Sequence, residues 1–201
     1  MFNIGICYEN GRGVERDYSL AVEWYQKVAD FGSVDAMKNL GDCYYYGEGA
    51  VKNYSLATEW YQKAADKGNA DAMNMLGCYY YFGKGGKRDY SLAAKWYQKA
   101  AENGNMIALK KLGDIYYSGT GIARDLTKAL DCYRRAKKAG NVEASFQYYE
   151  ILVYSQEASA IQQSVSLKKA CDLFKRADSG DISAQNSLGW CYYNGDGIDT
   201  D

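Results

Sequence analysis

The chain has 201 residues, of which 47% are hydrophobic and 15% aromatic, and its formal net charge at pH 7 is -1. This composition can bury a sizeable core, and the near-neutral charge disfavours nucleic acid as a partner because no global basic field holds phosphates. No apolar run approaches the roughly 18 residues of a membrane helix, and the first residues lack the pattern of a signal peptide. We therefore expect a cytoplasmic protein that makes no membrane contact.

A sequence block recurs every 36 residues, and its most regular member is a glycine, the repeat glycine, at Gly5, Gly41, Gly77 and Gly113. Each copy also contains a Gly-x-Gly pair, a Trp-Tyr pair or its weaker counterpart Cys132-Tyr133, and a later glycine. A fixed period between about 20 and 50 residues is typical of a solenoid, in which each repeat buries its apolar face against its neighbours.

Within the third repeat the apolar positions predict two helices. Ala72, Leu76 and Tyr80 are spaced by four residues and define one face of the first, helix A. A Gly-x-Gly loop then ends it, because glycine adopts positive φ without penalty. Asp89 is a natural N-cap for the second, helix B, whose Trp-Tyr pair at 96–97 we expect to fill the space between successive repeats.

The same two helices are predicted in chain order along the whole sequence. Helix A is expected near residues 1–10, 34–46, 70–82, 106–118, 142–154 and 182–194. Helix B is expected near residues 17–31, 53–67, 89–103, 125–139 and 165–179. The predicted fold class is therefore all-α, a solenoid of antiparallel helix pairs. We expect one array over 1–201, with repeats near 1–31, 32–67, 68–103, 104–139, 140–179 and an incomplete 180–201.

The fifth repeat departs from this pattern. The spacing from Ala144 to Ala170 is 26 residues, against 21 for the same two positions in the third repeat, and Tyr149 replaces the repeat glycine. Its Gly-x-Gly pair is missing as well. Residues 155–164 are therefore expected to form either a longer loop or an extension of helix A into a bent hairpin.

The phase of the repeat at the two ends indicates an array that is cut on both sides. Met1 aligns with Met73, and Asp201 aligns with the helix B cap Asp89. Solenoids normally end in repeats with a polar outer face, and neither end offers one. Two explanations stay open: the sequence is a fragment of a longer repeat protein, or its ends dock on other copies.

These residues together resemble the Sel-one-like repeat, a relative of the tetratricopeptide repeat. The resemblance rests on a pattern that recurs across essentially the whole chain and reads in the third repeat Ala72…Leu76-Gly77…Tyr80…Gly83-x-Gly85…Asp89…Ala93…Trp96-Tyr97-x-Lys99-Ala100-Ala101…Gly104. The tetratricopeptide repeat has a period of about 34 and lacks the Gly-x-Gly loop. The resemblance implies a right-handed superhelix of helix pairs, TPR-like, that acts as an adaptor for protein or peptide partners.

A secreted, cysteine-rich branch of that family pairs a cysteine near the end of helix B with one early in the next helix A, and some members are reported to bind or cleave β-lactams. The matching positions here are alanines, as at Ala65 and Ala72, so that pattern is absent. We expect free thiols at all six cysteines, Cys7, Cys43, Cys78, Cys132, Cys171 and Cys191. A metal is not expected either, because the chain has no histidine and no Cys-x-x-Cys pair.

Catalytic motifs have simpler explanations in this chain. Without histidine, the usual general base and the Ser-His or Cys-His pairs are missing. Ser166 and Lys169 match the Ser-x-x-Lys of penicillin-interacting enzymes, but the companion motifs are missing. The Gly-x-Gly loops are interpreted as helix terminators and Asn53 as a helix cap. We therefore predict that the protein is not an enzyme and has no catalytic residue and no cofactor.

The remaining candidate site is a surface of helix A. Opposite its core lie the positions three before, one after and four after the repeat glycine, which we name the groove face because it lines the concave groove in related solenoids. Its tyrosines offer rigid contact area, and the polar side chains between them offer donors and acceptors. The predicted partner-binding residues are Asp42, Tyr45, Asn74, Cys78, Tyr81, Lys110, Asp114, Tyr117, Glu150, Trp190 and Tyr193. Alternatively, the tyrosines only pack sideways between neighbouring A helices.

These features predict an interaction scaffold that holds a protein or peptide segment on the groove face, and the acids there suggest that the segment carries Lys or Arg. One alternative is a structural element that forms oligomers or belongs to a longer repeat protein. Another is a β-lactam-binding or hydrolysing protein. Concentration-dependent mass would favour the first alternative, and turnover of a chromogenic β-lactam the second. Among the thiols, Cys78 on the groove face is expected to react first.

Overall fold

A computed structural model describes residues 2–154 and 165–181 of the chain, and all regular secondary structure within these ranges is helical. The predicted all-α class is thereby confirmed. The five described A helices are α1 (Phe2–Asn10), α3 (Val34–Tyr46), α5 (Ala70–Phe82), α7 (Met106–Ser118) and α9 (Val142–Tyr154). The five described B helices are α2 (Tyr18–Asp30), α4 (Tyr54–Asp66), α6 (Tyr90–Glu102), α8 (Leu126–Lys138) and α10 (Val165–Asp178). The predicted helix at 182–194 and the irregular stretch 155–164 lie outside the described residues.

The chain divides into two compact units, residues 1–125 and 126–201. In the first unit each helix from α1 to α6 packs against the next one in the chain, and α3, α5 and α7 also contact one another in sequence order. In the second unit α9 packs against both α8 and α10. This nearest-neighbour packing is what a stack of helical repeats requires.

Local signals in the sequence set the ends of these helices. Asn53 accepts hydrogen bonds from the backbone amides of Ser55 and Leu56 at 3.0 and 3.1 Å, so it is the N-cap of α4, as predicted. Gly47 ends α3 in the left-handed conformation, with φ of 81°, and its amide donates to the Cys43 carbonyl. Caps and glycines of this kind fix where each helical hairpin turns.

The repeat glycine allows a tyrosine ring from helix B to lie directly on helix A. A Cβ on Gly41 would lie 2.5 Å from two ring carbons of Tyr61, and Gly77 stands in the same relation to Tyr97. Both tyrosines are almost fully buried. The tryptophan of the Trp-Tyr pair is instead half-buried, and Trp60 carries the Lys63 ammonium at 3.8 Å from its ring centroid. The tyrosine is therefore the core member of the pair.

The second glycine of the Gly-x-Gly loop connects one repeat to the repeat before it. A Cβ on Gly49 would collide with the backbone of Tyr18, the first residue of α2, and a Cβ on Gly121 would collide with the Cβ of Tyr90, the first residue of α6. Gly49 also has a positive φ of 71°. The prediction that these loops terminate helices holds for the first glycine, and the second adds a close contact between repeats.

The second unit builds the corresponding A/B contact from other residues. Tyr149, at the position of the repeat glycine, is buried against Phe174, at the position of the helix B tyrosine, with ring centroids 6.4 Å apart and planes 28° apart. Ala177 completes this small core. Both helices therefore supply an aromatic ring to this contact, whereas in the second and third repeats only helix B does.

Candidate partner-binding groove face

The hydroxyls of the buried helix B tyrosines reach through the core to the groove face of helix A. Tyr61 donates to Asp42 Oδ1 at 2.7 Å. Tyr25 donates to Glu9 Oε2, also at 2.7 Å. Burial is the main reason that the pKa of Tyr61 lies well above its usual value, and the Asp42 carboxylate adds to the effect. These hydroxyls therefore stay protonated and hold the groove-face acids in place.

Two groove-face acids are also paired with a lysine one turn earlier in the same helix. Lys38 Nζ lies 2.6 Å from Asp42 Oδ2, and Lys110 Nζ lies 3.0 Å from Asp114 Oδ2. Both lysines occupy the position three before the repeat glycine. Because each carboxylate has its own ammonium partner, this part of the groove face carries alternating charge without a net acidic field.

The third repeat replaces this ion pair with a thiol and a lysine from the following repeat. Lys111 of α7 places its Nζ 2.9 Å from Cys78 Sγ and 3.3 Å from Asn74 Oδ1. The Cys78 thiol also lies next to the hydroxyl of Tyr97, whose pKa is raised mainly by burial and then by Cys78. The same lysine ammonium lies 5.4 Å from the centroid of the Tyr97 ring. This cluster joins α5, α6 and α7.

The predicted groove tyrosines pack against helix B of their own repeat. Tyr45 meets Tyr54 edge to face at 5.3 Å, and Tyr81 meets Tyr90 in the same way at 5.2 Å. Both remain half-buried, so each keeps one part of its ring at the surface. Tyr117 is more exposed, at 38%, and its backbone carbonyl accepts a hydrogen bond from Arg124 Nε.

A second row of aromatic side chains was missed by the sequence analysis. Tyr46 and Phe82, five after the repeat glycine, are 56% and 52% exposed. Each lies edge to face on its groove-face neighbour, Tyr45 or Tyr81, with ring centroids 5.0 Å apart. The signal was present in the sequence, because α3 ends in a run of three aromatic residues and α5 in a run of four.

The structure brings eight of the predicted residues onto helices of the first unit: Asp42, Tyr45, Asn74, Cys78, Tyr81, Lys110, Asp114 and Tyr117. Glu150 is a half-buried residue of α9 in the second unit. Trp190 and Tyr193 lie outside the described residues. The candidate groove face is therefore built from α3, α5 and α7.

The described thiols differ in their access to solvent. Cys7, Cys43, Cys78 and Cys132 are free thiols, and the side chains of Cys171 and Cys191 lie outside the described part. Cys7 is half-buried whereas Cys78 is only 8% exposed, so access alone favours reaction at Cys7. Among the described residues no cluster of metal-ligating side chains occurs. None of the described helices has the length and hydropathy needed to cross a membrane.

Stacked helix pairs with this glycine and tyrosine pattern define a solenoid of helical repeats. The Sel1 repeat model matches residues 1–32, 34–69, 70–105, 107–141 and 182–201. The chain belongs to the Sel1 repeat family. The unmatched stretch, 142–181, contains the fifth repeat, in which Tyr149 and Phe174 replace the usual glycine and tyrosine.

Solved structures give the same result. A protective antigen of uropathogenic Escherichia coli strains with an SLR fold is 30% identical over 96% of this chain, with a TM-score of 0.80. A Sel1 repeat protein from Oxalobacter formigenes is 31% identical over 99% of this chain and 81% of its own, with a TM-score of 0.76. Cysteine-rich protein B of Helicobacter pylori, at 23% identity over 67% of this chain and 97% of its own, with a TM-score of 0.52, shares the fold.

The present chain spans 41% of the length of the Escherichia coli antigen. No curated protein matches the sequence. The predicted family and its helical-solenoid fold are therefore confirmed by the family match and by these structures.

Proposed function

We propose that this protein is an interaction scaffold that holds a segment of a partner protein on the groove face of α3, α5 and α7. Sel1 repeats generally mediate protein–protein interaction. The observation that carries the proposal is the pair of two-ring aromatic platforms, Tyr45 with Tyr46 and Tyr81 with Phe82. We assign the groove face a binding role and no reaction.

The platforms have the composition of a binding hot spot. In each, the inner ring is fixed by a tyrosine of helix B and the outer ring is about half exposed. Rigid aromatic side chains supply large contact area at low entropic cost, and such residues dominate measured binding energies. A segment with an apolar or aromatic anchor fits these platforms better than a purely charged one.

The polar part of the groove face supports a segment with mixed polar side chains. A Lys or Arg of the segment would compete with Lys38 for Asp42, because that carboxylate already holds an ammonium at 2.6 Å. We therefore expect basic side chains of the segment to contribute less than its apolar anchors, and binding to weaken only modestly as salt rises. The free thiols are consistent with an encounter in a reducing compartment such as the cytoplasm.

The experiment compares capture from the native cell by the wild type, a Tyr46→Ala/Phe82→Ala double variant and a matched control, Phe31→Ala/Val51→Ala. The control removes two exposed apolar side chains that lie in turns outside the groove face. We expect a partner that wild type and control retain and the aromatic variant loses, with an affinity change of about thirtyfold when measured on the purified pair.

Mapping of the bound segment completes the test. A photo-crosslinker placed at Phe82 should label one continuous stretch of the partner. Equal capture by all three proteins would show that the platforms do not bind the partner. Loss of self-association in the aromatic variant, with no other protein affected, would instead identify a contact between copies of this chain.

A further inference from the structure

The second and third repeats place different side chains beside the buried hydroxyl of the helix B tyrosine. In the second repeat the buried Tyr61 hydroxyl donates to Asp42, and Lys38 neutralises that carboxylate at 2.6 Å. In the third repeat the position of Asp42 is occupied by Cys78, which lies next to the buried Tyr97 hydroxyl and 2.9 Å from the Lys111 ammonium.

The donors around Cys78 are therefore those that the neighbouring repeat uses to hold an anion. In the fourth repeat the same position is again an acid, Asp114, with Lys110 at 3.0 Å. A neutral thiol is a weak hydrogen-bond acceptor and uses this ammonium and hydroxyl poorly. An oxidised, negatively charged sulfur group would use both of them, as a carboxylate does.

We propose that Cys78 is an oxidative modification site, at which a peroxide converts the thiol to a sulfinate that Lys111 and Tyr97 hold as Lys38 and Tyr61 hold Asp42. The modification needs no partner protein, so it does not depend on the proposed binding function. It would place an anion between α5 and the Lys111 side chain of α7, and so join two successive A helices by an ion pair.

The chemistry balances with two equivalents of peroxide. The Cys78 thiolate attacks one peroxide oxygen, the O–O bond breaks, and an S–O bond forms; the product is a sulfenic acid, and the displaced oxygen leaves as water or an alcohol after taking up a proton. The sulfenate repeats the attack on a second peroxide and becomes a sulfinate. Sulfur gives up two electron pairs in all, and each pair reduces one peroxide.

Two other buried thiols of the first and second units serve as internal controls. Burial raises the pKa of Cys43 to about 12, and the nearby acids Glu9 and Asp42 add to the effect. Burial also raises the pKa of Cys132 to about 11. The thiolate is the reactive form, and neither of these cysteines has a lysine ammonium described within hydrogen-bond distance of its sulfur, so both should oxidise slowly.

The test treats the folded full chain with dilute hydrogen peroxide and follows each cysteine-containing peptide by mass spectrometry. We expect Cys78 to gain two oxygen atoms at a rate about tenfold above those of Cys43 and Cys132. Lys111→Met, which installs the residue found at this position in the third repeat, should lower the Cys78 rate about fivefold or more, whereas Lys111→Arg should preserve it. Circular dichroism verifies that each variant is folded.

A charge-mimicking variant gives a second, independent readout. Cys78→Asp should raise the thermal midpoint relative to Cys78→Asn by on the order of 2–4 °C when Lys111 is present, and by much less when Lys111 is replaced by methionine. Equal oxidation of Cys78 and Cys43, or a Cys78 rate that Lys111→Met leaves unchanged, would overturn the proposal. If the difference in thermal midpoint between Cys78→Asp and Cys78→Asn is the same with and without Lys111, the claim that this lysine holds the anion is wrong.

Discussion

The A/B contact of the first unit pairs a glycine with an aromatic ring, whereas that of the second unit pairs two aromatic rings. In the second and third repeats a helix B tyrosine ring packs directly on a helix A glycine, as Tyr61 packs on Gly41. In the second unit Tyr149 of helix A packs against Phe174 of helix B. Both contacts are filled, the first by one ring from helix B and the second by a ring from each helix, so helix B supplies an aromatic side chain in either arrangement.

The two units also differ in which helix carries the buried hydroxyl and in the partner of that hydroxyl. In the first unit the Tyr61 hydroxyl donates to a groove-face acid, Asp42. In the second unit the Tyr149 hydroxyl accepts a hydrogen bond from Lys137 of α8 at 2.6 Å. The same buried layer therefore carries a carboxylate in one unit and an ammonium in the other, and this changes the charge that each unit brings to its A helices.

The largest effect is expected from removing the helix A ring in the second unit. Tyr149→Gly should lower the free energy of unfolding by about 3–5 kcal/mol, because it leaves a cavity beside Phe174 that no other ring fills. Adding Phe174→Tyr should not recover the loss, since one hydroxyl does not replace a ring. Urea unfolding followed by circular dichroism measures both changes. Full recovery in the double variant would show that the second unit can adopt the arrangement of the first.

Adding a side chain at the repeat glycine of the first unit should lower the free energy of unfolding by a somewhat smaller amount. Gly41→Ala places a methyl group against the Tyr61 ring, and overpacking of this kind costs about 1–3 kcal/mol. Gly86→Ala is the matched control, because a Cβ there meets no atom within 4 Å and φ is not positive. The same urea titration compares the two. Equal stability of both alanine variants would contradict the role assigned to the repeat glycine.

Alkaline pH tests the buried hydroxyls. The pKa of Tyr61 in the folded protein is raised above its ordinary value of 10.0, chiefly by burial, so its stabilising contribution is complete below pH 10 and is lost as the pH rises beyond that value. Each such tyrosine steepens the decline by about 1.4 kcal/mol per pH unit. In the Tyr61→Phe variant the free energy of unfolding should fall less steeply between pH 10 and 11, and the difference in slope should correspond to about one proton. An unchanged slope would mean that the hydroxyl ionises as readily in the folded as in the unfolded chain.

The smallest effect is expected from the surface ion pairs. Lys38→Met should cost roughly 0.5 kcal/mol, since Lys38 and Asp42 are both only about a quarter exposed and Asp42 keeps its tyrosine partner. Arg134→Met in the second unit should change the free energy of unfolding by less, because Arg134 and Asp131 are about half exposed. Because salt screens exposed pairs more than partly buried ones, added salt should remove a larger fraction of the Arg134 contribution than of the Lys38 contribution. If both variants lose the same free energy of unfolding and salt changes neither loss, the ranking of these two ion pairs is wrong.

Most of the local structure could be predicted from the sequence, because its signals lie within one or two turns of each other. Helix B of the first repeat was expected near 17–31 and is Tyr18–Asp30. Asn53 was recognised as a cap, and it accepts two amide hydrogen bonds. The groove face was harder to predict. The sequence placed Tyr45 on it but gave no means of knowing that Tyr54 would cover one side of that ring.

The sequence by itself determined the 36-residue period, the helix pairs and the family, because each depends on spacing within a repeat and on its recurrence. Tertiary structure alone decided what the repeated residues contact. Gly77 meets the ring of Tyr97, and Lys111 reaches back 33 residues along the chain to Cys78. Such contacts depend on how closely two helices approach and which rotamers they leave open, and neither quantity is encoded by local periodicity.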